Sequence, residues 1–192
     1  MSLEICPHQE LHKQAIWNLF QFYCYDTSVY DDHNVEESGF YSMSAEYFSQ
    51  YWSKPTWRAH LLRWNGAIAG FALIEDSDAV SGALETADLF VLRRFRRHGI
   101  AARVALHFME RRDEPWTIVV FDDAGDAKSF WNSMFKVHSL TPTHTLPDPD
   151  GRAATVYVLE ANAAAYRAID SHAPVRPLPS VASVLVRRSF QR

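Results

Sequence analysis

Apolar positions along the chain follow two periods, and recognisable stops mark each change. Leu11, Ala15, Ile16, Leu19, Phe20 and Tyr23 share one face at helical spacing, which predicts an amphipathic helix over residues 8–23. Residues 26–43 are acidic and aromatic without a period and read as loop. Ser44, followed by Tyr47 and Tyr51, predicts a short capped helix that ends near Lys54-Pro55. Runs of strand character over 58–64 and 67–75 flank Asn65-Gly66, a two-residue hairpin turn. After a loop at 76–82 a third strand is expected over 84–92, then a helix from Gly99 to Arg112 with Ile100, Val104, Phe108 and Ala101, Ala105, Met109 at helical spacing. Trp116 to Phe121 is continuously apolar, as in a strand buried on both faces. Asp126 is the expected cap of a helix that turns Ala127, Phe130, Trp131, Met134 and Phe135 inward. Residues 139–146 and 153–160 flank Pro147-Asp-Pro-Asp-Gly151 and predict a last hairpin. No internal repeat is present. The sum is an α/β (α+β) fold: a mixed, largely antiparallel sheet with helices on both faces.

At 192 residues, the chain is long enough for one domain with a real core. Hydrophobic residues make up 47% and aromatics 14%, which argues against global disorder. Cys6 and Cys24 are the only cysteines and have no ligand spacing around them, so neither a disulfide scaffold nor a metal site is expected. The first residues carry no basic-then-apolar signal and no run approaches a membrane span, so a cytoplasmic protein is expected.

Charge is unevenly placed. Residues 1–80 hold eleven Asp and Glu against Lys13, Lys54, Arg58 and Arg63, whereas residues 93–112 hold seven arginines against Glu110 alone. Four of those arginines sit in Arg93-Arg94-Phe95-Arg96-Arg97-His98-Gly99, between a strand and a helix. A helix opened by glycine just after a strand points several main-chain N–H groups at one spot, with the positive end of the helix dipole behind them. Such a spot holds a phosphate. The clustering at one turn suits a compact polyanion better than a nucleic acid, which would need a basic face with interleaved aromatics.

Arg96-x-x-Gly99-x-Ala101 resembles the acyl-CoA-binding signature [Q/R]-x-x-G-x-[G/A] of the GNAT superfamily of N-acetyltransferases. The segments YDTSVYD, YFSQYWSKP, HLLRWNGAIAGFAL, ADLFVLRRFRRHGIA and AKSFW, in that order, resemble one bacterial GNAT subgroup of unassigned substrate over about residues 18–160. The resemblance implies a GNAT domain over 1–160 that uses acetyl-CoA, with 161–192 as a C-terminal extension. It implies that the strand before the signature and the next strand splay apart, with main-chain contacts from Phe90, Val91 and Leu92 to the pantetheine arm. It places the pyrophosphate on Arg96, Arg97, His98, Gly99, Ile100, Ala101 and Ala102.

The chemistry implied is direct attack of an amine on the thioester in a ternary complex. A protonated amine is no nucleophile, so a base must take its proton, and the developing oxyanion needs fixed donors. By the resemblance Asp88 stands where the subgroup's strand usually has Glu, while Glu85 stands at the distance from Gly99 at which the histone-modifying branch carries its base. On a regular strand the two face opposite sides. Two positions depart from the family pattern: Ala124 replaces an Asn that bonds the cofactor, and Phe130-Trp131 replaces Phe-Tyr, whose Tyr is the general acid. An indole cannot protonate a thiolate, which leaves solvent or another residue such as Tyr157 as the acid, and Trp131 is expected to pack in the core. These departures support a competing reading, a non-catalytic GNAT domain that binds acyl-CoA as a sensor or interaction module.

The loop after the first helix usually walls the acceptor site in this fold. Here it carries Asp31, Asp32 and His33 beside Tyr30, which suits an ammonium-bearing small molecule through charge pairing and cation–π contact. No nucleic-acid or membrane partner is expected. In the extension, residues 161–172 favour helix, Pro174, Pro177 and Pro179 impose a linker, and Val181 to Val186 is a strand-like apolar hexamer. That hexamer is expected to add to a sheet edge, on its own domain or across a two-fold in a homodimer.

Overall fold

The computed structural model describes residues 2–30, 34–110, 112–137 and 140–162. Asn65 and Gly66 both take positive φ, 48° and 80°, the backbone of a tight hairpin turn, and they join β2 (Arg58–Trp64) to β3 (Ala67–Asp76) as expected. β4 (Leu84–Val91) pairs antiparallel with β3. With β1 (Leu3–Ile5), β5 (Trp116–Phe121), β6 (His144–Pro147) and β7 (Ala154–Leu159) they form one sheet in the order β1-β2-β3-β4-β5-β7-β6. Every neighbouring pair is antiparallel except β4 and β5, which run parallel.

α1 (Lys13–Thr27) and α2 (Ala45–Ser49) cover one face, and α3 (Ile100–Met109) covers the other. Phe20 and Tyr23 of α1 meet Phe71 of β3 at ring separations of 5.7 and 6.0 Å. Phe108 of α3 meets His60 of β2 at 5.0 Å, and His60 pairs with Ala72, the neighbour of Phe71, so it points the opposite way. α4 (Gly125–Val137) packs Phe135 on Tyr157 of β7 at 5.1 Å. The side chains of Ala127, Phe130, Trp131, Met134 and Phe135 are buried, as the helical pattern requires.

Several boundaries differ from expectation; the first strand of the last hairpin, expected over 139–146, is the shorter His144–Pro147. Residues 10–12 form a 3-10 turn, so the first helix starts at Lys13 and runs on to Thr27. Leu11, in the turn, is 73% exposed and does not join the core, while Cys24 and Thr27 do. Asp126 lies inside the first turn of α4 rather than capping it. α3 stops at Met109, short of Arg112, because the buried Arg112 guanidinium donates to the Met109 and Glu160 carbonyls, each at 2.7 Å. β1 was not anticipated. It is three residues long and exists by pairing with residues 62–64. Ser44 behaves as predicted: its Oγ accepts from the Tyr47 N–H at 3.1 Å.

Candidate active site

The turn between β4 and α3 is built from two left-handed residues. Arg97 has φ 68° and Gly99 has φ 70°, and no side chain caps the helix that follows. The first main-chain N–H groups of α3, at Ile100, Ala101 and Ala102, have no partner within the helix. Turns in which successive main-chain N–H groups converge make concave anion-binding nests. A Cβ on Gly99 would meet nothing within 4 Å, so the space above the turn is open. Arg94, Arg97 and His98 are exposed around it, and the His98 ring is fixed by a 2.9 Å contact from Nδ1 to the Arg96 carbonyl. These residues fit a pyrophosphate.

Arg96 does something the signature alone does not disclose. Its side chain folds back under the turn, where Nε donates to the Val91 carbonyl at 2.8 Å and Nη2 to Asp26 of α1. Arg93 grips the same carboxylate, with Nε and Nη2 at 3.0 and 2.7 Å from Oδ1.

β4 and β5 pair at Leu84–Trp116 and Glu85–Thr117 and then separate. From Thr86 onward the second edge of β4 therefore faces a wedge. Leu92 is turned away from it: its N–H donates to Ala69 at 2.8 Å and its carbonyl accepts from Phe95 at 2.8 Å. Main-chain groups alternate between the two edges of a strand, so Val91 presents its main chain to the wedge, with its carbonyl already held by Arg96. Phe90 is cross-strand partner to Phe71 and packs on Tyr23.

The carboxylates on β4 are arranged by a bulge. Leu73 pairs with Asp88 and Ile74 with Thr86, leaving Ala87 out of the ladder. Glu75 then pairs with Glu85. Leu73 and Glu75 share a face, so Asp88 and Glu85 share it too, which corrects the expectation from a regular strand. Both are fully buried. Glu85 is tied to the neighbouring strand at the vertex of the wedge: Thr117 Oγ1 donates to its Oε2 at 2.9 Å, and Ser77 Oγ lies 3.4 Å from the same oxygen. Asp88 lies beyond the last β4–β5 pair.

A third carboxylate on this face, Glu75, was not singled out from the sequence. It is 2% exposed, and its Oε2 accepts from the hydroxyls of Tyr47 at 2.6 Å and Tyr51 at 2.9 Å. Burial pushes the Tyr51 hydroxyl well above its ordinary pKa, and the charges of Glu75, Tyr47 and Asp88 push it further, so Tyr51 stays a donor. The available signal was Tyr47 and Tyr51 one helical turn apart on a capped helix, which reads equally well as core packing.

Among the acceptor candidates, Tyr30 is half-buried and borders a cavity of about 280 Å³ with Asp26, Arg93, Arg96 and Ala124. Asp31, Asp32 and His33 lie outside the described residues, as do residues 163–192 with the whole strand-like hexamer. Trp131 is fully buried, its ring stacked on Phe135 at 6.0 Å, and its indole N–H has no hydrogen-bond partner among the described residues. It packs the core. Tyr157 packs against Phe135 on β7. No group of three or more metal-ligating side chains occurs, and no helix is long and apolar enough to cross a membrane, among the described residues.

Residues 15–121 match the model of the acetyltransferase (GNAT) family. No curated protein matches the sequence. Solved structures do match the fold. An acetyltransferase from Thermus thermophilus is 15% identical, covers 83% of this chain and 97% of its own, and has a TM-score of 0.60. An N-acetyltransferase from Staphylococcus aureus is 12% identical over 83% and 99%, with a TM-score of 0.55. A putative acetyltransferase from Salmonella typhimurium, solved with its cofactor acetyl-CoA, is 11% identical over 91% and 98%, with a TM-score of 0.53.

Proposed function

Since the chain belongs to the GNAT acetyltransferase family, whose general activity is acetyl transfer from acetyl-CoA, we propose that it acetylates the amine of a small, cationic acceptor by direct attack in a ternary complex. The residues of the β4–α3 turn, Arg97, His98, Gly99, Ile100, Ala101 and Ala102, hold the pyrophosphate. Val91 offers its main-chain N–H to the wedge for the pantetheine arm, while Phe90, whose main chain faces β3, backs that stretch of β4 with its ring on Tyr23.

Asp88 is the base in this reading. The observation that carries it is position: Asp88 is buried on the α1–α2 face just past the point where β5 departs, whereas Glu85 is engaged by Thr117 inside the paired vertex. Glu85 then holds the vertex shut. Three buried carboxylates on one face also set a negative potential that favours a cationic acceptor, and the loop with Tyr30, Asp31, Asp32 and His33 supplies its outer wall. Trp131 makes no proton donor and Tyr157 is packed on Phe135 of α4, so in this reading the leaving thiolate takes its proton from solvent.

The test has two stages. Coenzyme A should raise the melting temperature by mass action, and Gly99→Glu, which sets a negative side chain in the turn, should abolish the shift. No shift at millimolar coenzyme A sinks the proposal. An amine panel read by thiol release then separates enzyme from sensor, since a sensor binds without turnover.

A further inference from the structure

Asp26 occupies an unfavourable place for an anion. It lies in the last turn of α1, where the helix dipole presents its negative end, and its side chain is only 6% exposed. Helix stability does not account for it there. What does is the pair of guanidiniums that close on it: Arg93 offers two N–H groups to one oxygen, and Arg96 one to the other. Guanidinium N–H groups that bind a carboxylate in this way can bind phosphate oxygens equally well.

The two arginines differ in freedom. Arg96 is 10% exposed and is held at its other end by the Val91 carbonyl. Arg93 is 70% exposed, stands at the start of the phosphate turn, and has only Asp26 as a hydrogen-bonded partner among the described residues. The cavity beside it opens toward Ala124 and Ala127 at the start of α4. Arg93 can therefore change partners by side-chain rotation, whereas Arg96 cannot without uncovering the end of β4.

We propose that Asp26 is the resident anion of the cofactor site. Its pairing with Arg93 competes with the cofactor's phosphates for that guanidinium and so sets cofactor affinity. Arg96 remains on Asp26 throughout as a strut. This rests on coenzyme A binding at the turn, and adds to it a residue outside the signature that determines how tightly the cofactor is held.

The experiment is titration of coenzyme A by calorimetry into the full-length wild type, Asp26→Asn, Arg93→Gln and the double variant, at low and moderate salt. Asp26→Asn keeps the shape and removes the competing charge, so its Kd should fall by about three- to tenfold, more at low salt where charges are less screened. Arg93→Gln should weaken binding by a similar factor, and in that background Asp26→Asn should change nothing. Equal or weaker binding by a folded Asp26→Asn protein overturns the proposal. If Asp26→Asn does not fold, the exposed Arg93 decides: an unchanged Kd in Arg93→Gln overturns it equally. Failure of the wild type to bind coenzyme A is a different result, because it removes the cofactor reading on which this one stands.

Discussion

Glu85 and Asp88 are three residues apart on one strand, yet their side chains leave it on the same side. The bulge at Ala87 inverts the alternation between them, so both carboxylates reach the face covered by α1 and α2. Their roles separate along the strand rather than across it. Glu85 sits in the last β4–β5 pair, and Asp88 sits over the wedge.

Loss of the base should show in turnover and not in cofactor binding. Asp88→Asn should lower kcat by about 10²–10⁴-fold at neutral pH with coenzyme A affinity unchanged, and the defect should shrink at high pH as free amine accumulates. Glu85→Gln should instead lower the melting temperature, because Thr117 loses a charged acceptor. Full activity in Asp88→Asn would assign proton removal elsewhere.

Gly70 faces Val91 across β3 and β4, and a Cβ placed there would lie 1.9 Å from the Phe90 carbonyl oxygen. No side-chain rotation relieves a clash with main chain. Gly70→Ala should therefore cost about 2 kcal/mol, a fall of roughly 4–8 °C in melting temperature for a domain of this size. Coenzyme A binding should weaken as well, since the displaced residues border the wedge. Thermal melts with and without coenzyme A check both halves.

His60 is packed under Phe108 with Nδ1 2.9 Å from the Cys6 carbonyl. Burial lowers its pKa, as do His8, His107 and Arg58 nearby, while the Cys6 bond opposes them. The folded state thus binds this proton less readily than the unfolded chain. The resulting stability is complete above the unfolded pKa of about 6.5 and is lost as pH falls through the folded value, with a slope of at most about 1.4 kcal/mol per pH unit. In His60→Asn the melting temperature should fall less steeply between pH 6.5 and 5 than in the wild type. Parallel curves would assign the acid sensitivity to other groups.

The hexamer Val181 to Val186 is expected to add to a sheet edge, on its own domain or on a second copy. Deleting residues 173–192 should lower stability in the first case, and in the second turn a dimer into a monomer, measured as mass by light scattering. Unchanged mass and unchanged stability would leave Val181 to Val186 without a structural role.

The architecture was legible wherever the signal is local. Asn65-Gly66 encodes its turn by conformational preference, Ser44 caps through its own hydroxyl, and the apolar run from Trp116 to Phe121 follows from burial on both sides. The turn before α3 was legible for the same reason, because Gly99 is required by its own φ. What escaped depends on partners distant in the chain. β1 exists only through β2. The bulge at Ala87 is a mismatch between two strands and leaves no mark on either sequence. Glu75 acquires its tyrosines, and Asp26 its arginines, from elements 24 to 70 residues away.

The parallel junction between β4 and β5 also bears on cooperativity. Two residue pairs join a four-stranded half, β1 to β4, to a three-stranded half made of β5, β7 and β6. With so short a seam, the smaller half can open without unfolding the larger. A molecule seated in the wedge would bond to both halves and close the seam along its length. Amide hydrogens of β5 and β7 should then exchange through local opening without a wedge ligand, and only through global unfolding with one, and a cosubstrate bound there would act as the mortar between two sub-sheets.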